Sequence, residues 1–151
     1  MKVKNNMDTN KLKLLIINGP NLNLLGTREP HIYGNRAFER YFKLLDEEYP
    51  DIDLKYFQSN HEGELLDKMH EMRDQVDGMV LNAGGLSHTS VVLADCMAAM
   101  PIPVIEVHIS NVFDREIFRQ NLLTAKHSSG FISGFGMESY RLAVESFRDS
   151  L

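Results

Sequence analysis

Arg28 and Tyr33 stand five residues apart in a polar stretch, residues 18–34, that glycine and proline punctuate. A phenol titrates near 10, so roughly one in a thousand is ionised at neutral pH. Making it a working base takes about 4 kcal/mol of preferential phenolate stabilisation. A guanidinium, always charged, is one source of that stabilisation. The bland alternative is a packed tyrosine and a solvated arginine on a surface loop. In Glu106-Val107-His108, extended alternation would put the carboxylate and the imidazole on one face. A carboxylate beside an imidazole fixes its tautomer, as a proton donor requires. The alternative is a histidine packed at a sheet end.

Asn82 to Ser90 is rich in glycine and precedes a helical pattern. It has neither the Lys-Ser/Thr pair of a phosphate loop nor G-x-G-x-x-G. Free amides at its helix start could hold a carboxylate, or the segment is simply a turn. Arg115 and Arg119 lie four apart on one helix face; one is expected to pair with Asp114 or Glu116, leaving the other for a ligand. No H-x-x-x-H or H-E-x-x-H occurs and the histidines are dispersed, so no metal is expected.

The elements that must position these groups alternate between two periods. Apolar runs at 12–18, 52–58, 78–83, 104–108 and 130–133 read as strands. Helical spacing predicts helices over 36–49, 62–76, 89–100, 116–123 and 138–147. Such alternation implies an α/β fold: a parallel sheet with helices on both faces, three layers in flavodoxin-like order 2-1-3-4-5. Ligands of such folds gather where the strands end at their carboxyl side. Those ends deliver Asn18, Asn21, Asn23, Arg28 and Tyr33; then Gln58, Ser59, Asn60 and His61; then Asn82 to Ser90; then Glu106, His108, Ser110, Arg115 and Arg119. Amides, hydroxyls and guanidinium groups suit a small polar ligand.

The predicted third helix is apolar nearly all round, which suggests that an oligomer covers part of it. Its Asp95 either pairs within the chain or serves a neighbouring subunit. His88 and Asp95, seven apart, would share a face of that helix at about 10 Å.

With 151 residues the chain is long enough to bury a core, read as a flexible extension over 1–10 and a single catalytic domain over 11–151. Net charge −5 argues against a nucleic-acid or anionic-membrane surface. One cysteine, Cys96, excludes an intrachain disulfide. No membrane-length apolar run or signal-like segment is present, so a cytoplasmic protein is expected.

The segments 17–22, 26–34, 58–63, 82–90 and 106–112, in that order, closely resemble the type II 3-dehydroquinate dehydratase family. The likeness spans about residues 12–145. It implies dehydration of 3-dehydroquinate to 3-dehydroshikimate by anti elimination through an enolate, without a cofactor, in the shikimate pathway. It also implies roles. Tyr33 matches the general base, Arg28 its activator, and His108 the general acid with Glu106 as partner. Asn21 matches the residue that orients a water on the enolate oxygen. Asn82, the backbone of Ile109 and the hydroxyl of Ser110 match contacts to the carboxylate and hydroxyls, and His88 and Arg119 match residues holding ring hydroxyls. Asp95 matches an acid reaching into an adjacent subunit of a homododecamer built from trimers. Phe113 and Ala94 stand where many members have histidine and arginine.

Overall fold

The structure is a computed structural model that describes residues 11–26 and 37–149. Strands β1 (Leu12–Asn18), β2 (Ile52–Gln58), β3 (Gly78–Asn82), β4 (Val104–His108) and β5 (Gly130–Ser133) form one parallel sheet. Its order is β2-β1-β3-β4-β5, as the alternation predicted. Helices α1 (Phe38–Glu48), α2 (Glu62–Met72), α3 (Val91–Ala98) and α4 (Glu138–Asp149) complete the three layers.

Strand residues alternate faces, so the central strands feed two cores at once. Leu14, Ile16, Val80, Ile105 and Val107 join Phe38, Tyr41, Leu45, Tyr140 and Phe147 from α1 and α4. Leu15, Ile17, Met79, Leu81 and Val104 join Leu65, Met69, Leu93 and Met97 from α2 and α3. Both faces of β1 and β3 are therefore covered. That is why these strands read as continuous apolar runs.

Three helical expectations are corrected. The second helix stops at Met72, not Val76: residues 73–75 form a turn in which Gln75 N–H donates only three residues back, to the Met72 carbonyl at 2.9 Å. The third starts at Val91: Ser90 takes an extended conformation and caps it, its Oγ accepting from Leu93 N at 3.0 Å. His88 thus belongs to a preceding 3-10 turn, Gly84–His88, and shares no helix face with Asp95. The fourth, expected over 116–123, is one 3-10 turn, Ile117–Gln120, because Leu123 N–H leaves the helical ladder for the Ser87 carbonyl.

The order reverses at β1, from which the chain goes out to β2 and back to β3, so the fold's crevice opens between the ends of β1 and β3. Two glycines let the loops beyond those ends touch. Gly19 N–H donates to the Asn82 carbonyl at 2.7 Å. A Cβ on Gly19 would lie 2.7 Å from the Ala83 carbonyl oxygen, and Gly84 adopts φ +59° against the Pro20 carbonyl. Gly19→Ala should therefore destabilise the fold by about 1–3 kcal/mol, the usual range for overpacking. Urea denaturation measures it, and a variant as stable as the parent would show that the two loops can separate.

Candidate active site

A cleft opens at that crevice. The loop after β1 lines it with Pro20, Asn21, Leu22, Leu24 and Leu25, and β3 and its exit contribute Asn82, Gly84, Gly85 and His88. β4 and its exit add His108, Ile109, Ser110, Val112, Arg115 and Arg119. The structure thus brings together Asn21, Asn82, His88, His108, Ile109, Ser110 and Arg119 of the predicted site residues. Arg28 and Tyr33 lie outside the described residues. Gln58 and Asn60 do not line the cleft but brace its rim. Asn60 Oδ1 accepts from Asn21 N at 2.9 Å and from Gln58 Nε2 at 3.1 Å, and Gln58 Nε2 also reaches the Gly19 carbonyl at 3.2 Å. These bonds hold Asn21 in a left-handed conformation, φ 70°, that asparagine tolerates better than most residues.

Asn82 is held from both ends. Its Nδ2 donates to the Tyr140 hydroxyl at 2.8 Å and its Oδ1 accepts from Gly84 N at 3.1 Å. Ile109 and Ser110 have their carbonyls occupied, by Gly136 N at 2.9 Å and Ser133 Oγ at 2.8 Å. What they can offer a ligand is their N–H groups and the Ser110 hydroxyl.

The histidines face each other with ring centroids 6.2 Å apart. His88 Nδ1 lies 3.0 Å from the Asn121 carbonyl, which can only accept, so Nδ1 carries a proton. Burial pushes the His88 pKa below the imidazole range. The ring is therefore neutral at physiological pH, and its Nε2 is an acceptor suited to a hydroxyl donor. His108 Nε2 lies 3.0 Å from Glu106 Oε2, as the alternation of β4 predicted. Glu106 is 0 % exposed, and its second oxygen accepts the Thr124 hydroxyl.

Glu116 takes the arginine pairing. It approaches Arg119 Nε at 2.6 Å and Arg115 Nε at 3.9 Å, so the closer pair involves the arginine expected to meet the ligand. Glu116 is exposed, so the pair itself adds little stability. It steers Arg119 by Nε only, and both arginines still border the cleft. Asp95 is exposed and lies outside the cleft of its own chain. Its carboxylate has no ion-pair partner among the described residues. Residues that sequence reasoning missed are those behind the cleft: Tyr140, Asn121 and Thr124. No periodic signal marks them, since each acts through one or two bonds to distant segments.

A chemistry follows from this inventory. The cleft offers fixed amides, a neutral imidazole acceptor, a carboxylate-bound imidazole and two guanidinium groups. It can grip a small anion rich in hydroxyls and exchange a proton with it.

The chain is similar to known proteins along most of its length. The family model described as dehydroquinase class II matches residues 12–148. A 3-dehydroquinate dehydratase of Prochlorococcus marinus (strain MIT 9301) is 48% identical over 136 residues, 89% of this chain and 92% of that protein. One from Bacillus licheniformis is 48% identical over 141 residues, 91% of this chain and 96% of that protein. The crystal structure of a type II dehydroquinase from Butyrivibrio crossotus superposes with TM-score 0.88 at 41% identity, covering 91% of this chain and 98% of that one.

His88 should titrate below the ordinary imidazole range and, when neutral, carry its proton on Nδ1. Long-range proton–nitrogen NMR correlations read both. The unfolded chain binds that proton more readily than the folded one. The parent should therefore lose stability relative to His88→Gln as pH falls through the ordinary imidazole value, and not above it. An ordinary midpoint, or an Nε2–H tautomer, would remove the acceptor role from this ring.

Proposed function

The chain belongs to the class II dehydroquinase family, and from that membership we propose that it removes water from 3-dehydroquinate, giving 3-dehydroshikimate in the shikimate pathway. It is a hydro-lyase. The observation that carries the detailed reading is the meeting of Asn82, His88, His108, Ser110 and Arg119 in one cleft beneath the loop that leads into Arg28 and Tyr33.

In the proposed mechanism the Tyr33 phenolate, stabilised by the Arg28 guanidinium, takes the proton beside the substrate ketone. An enolate forms. Stabilising such an oxyanion is usually the largest contribution to a step of this kind. Asn21 supplies it by orienting a water on the enolate oxygen. His108 then protonates the departing β-hydroxyl on the opposite face of the ring, an anti elimination. With Nε2–H turned to Glu106, the acid form is the imidazolium, whose second proton sits on Nδ1 and is the one delivered, leaving the ring neutral with its proton on Nε2. Asn82, the amides of Ile109 and Ser110 and the Ser110 hydroxyl hold the carboxylate, while His88 and Arg119 hold ring hydroxyls. The route uses no cofactor and no metal, and the enzyme works in the cytoplasm.

Asp95 is assigned to a neighbouring subunit's site, in a dodecamer of trimers. Three features support this: Asp95 is exposed, it sits away from its own cleft, and the same helix presents Val91 and Val92 to solvent at 62% and 49% exposure. An apolar face of that kind is what a subunit contact covers.

Purified protein given 3-dehydroquinate should develop the ultraviolet absorbance of a conjugated enone. Tyr33→Phe should reduce turnover to about one per cent or less, the loss of roughly 10²–10⁴ expected for a general base. Absence of the enone signal from folded parent protein would sink the reading.

The shared site has its own test. Chains carrying Asp95→Ala are mixed with chains carrying Tyr33→Phe, and the oligomer is dissociated and reformed. Some sites then combine an intact Tyr33 with an intact Asp95 from the next chain, so activity should return in part. Hybrids that form yet stay as inactive as their parents would confine Asp95 to its own subunit.

A further inference from the structure

The segment between the 3-10 turn Ile117–Gln120 and residue 125 lines none of the cleft, yet it is bonded to His88, which does, and to Ser87 and Glu106 just behind it. Leu123 N–H donates to the Ser87 carbonyl at 2.8 Å, and the Asn121 carbonyl takes the Nδ1 proton of His88 at 3.0 Å. At its end the Thr124 hydroxyl donates to Glu106 Oε1. Thr124 and Glu106 are both 0 % exposed, so no water competes for that carboxylate.

The proton count around Glu106 is tight. One oxygen receives the single hydroxyl proton of Thr124, and the other faces His108 Nε2 at 3.0 Å. As a carboxylate, Glu106 can only accept, so Nε2 must be the protonated nitrogen. Without the hydroxyl, one oxygen of a fully buried carboxylate would stand unsatisfied, a state that costs more than the bond itself is worth. The relief open to Glu106 is to take up a proton and donate to Nε2. That reverses the bond and moves the ring's own proton to Nδ1.

We propose that Thr124 is a positioning residue that, through Glu106, sets which nitrogen of neutral His108 carries the proton. Its consequence for turnover rests on the reading of His108 as the acid, but the tautomer does not. In the parent, Nε2 is protonated, Nδ1 is left to take up the proton that is delivered at the cleft, and the Glu106 carboxylate balances the imidazolium so formed; a protonated Glu106 could not. The same short segment thus assigns the proton in both rings, to Nδ1 in His88 and to Nε2 in His108.

The test is nitrogen NMR of histidine-labelled protein without substrate, beside steady-state kinetics. Neutral His108 should give the Nε2–H pattern in the parent, move toward Nδ1–H in the near-isosteric Thr124→Val, and return in Thr124→Ser. In the valine variant kcat should fall tenfold or more, bounded by the roughly 10²–10⁴ that a positioned acid contributes, with KM little changed. An Nδ1–H pattern in the parent would overturn the proposal without any variant, even if Thr124→Val failed to fold. So would a valine variant with the parent's pattern. A changed tautomer with unchanged kcat would uphold the role of Thr124 and overturn the dependence of turnover on that tautomer.

Discussion

One buried hydroxyl holds the two strand ends on which the cleft is built. Tyr140, on α4 and 0 % exposed, donates to Asn18 Oδ1 at the end of β1 at 2.7 Å and accepts from Asn82 Nδ2 at the end of β3 at 2.8 Å. Burial pushes its pKa far above the phenol range, so the proton is always present. Because a neutral phenol has one proton and gives it to Asn18, the bond to Asn82 must run the other way. The amide of Asn82 therefore has a single orientation, with Oδ1 turned to Gly84 N. Phe38 packs against the ring, centroids 4.7 Å apart, and fixes the phenol in place. Leaving such a hydroxyl or amide unpaired would cost about 1–3 kcal/mol per group. The geometry of the cleft thus follows from the packing of the opposite layer.

The strands and their order were legible because the physics that makes them is local and repetitive. A strand buried on both faces must be a short unbroken apolar run, and a polar residue such as Asn18, Gln58 or Asn82 marks where it leaves the core. The helix ends were less legible. Val76 keeps the apolar phase of α2 and is buried, but it is carried there by a turn. Ser90 looked like the first turn of a helix when it is the cap that starts one. Among the site residues, Glu106 and His108 could be paired because alternation alone puts them on one face. Thr124 and Tyr140 could not. Their partners lie 18, 58 and 122 residues away, and a lone hydroxyl carries no sign of what it will meet.

The two histidines of the cleft illustrate how one side-chain type serves two purposes. His88 is desolvated and faces a carbonyl, which fixes a neutral ring with an open acceptor. His108 faces a carboxylate that is itself buried and held by a second donor. Divergent surroundings, not sequence spacing, separate a ring that reads hydroxyls from a ring that can hand over a proton.

The outer wall of the cleft follows a different logic from its floor. Phe113, Ile117 and Phe118, at 61%, 83% and 61% exposure, flank the segment that carries Arg115 and Arg119, while Val91 and Val92 stand exposed on α3. Solvated phenylalanine and isoleucine side chains gain nothing from water, and each would contribute about 1.5–3 kcal/mol if fully buried. A second chain seated on this face would remove them from water and exclude solvent around the arginines at the same time. Charge-assisted bonds from Arg115 and Arg119 to a ligand strengthen in such surroundings. On a wall covered in that way, burial of these side chains and strengthening of those bonds would be one event.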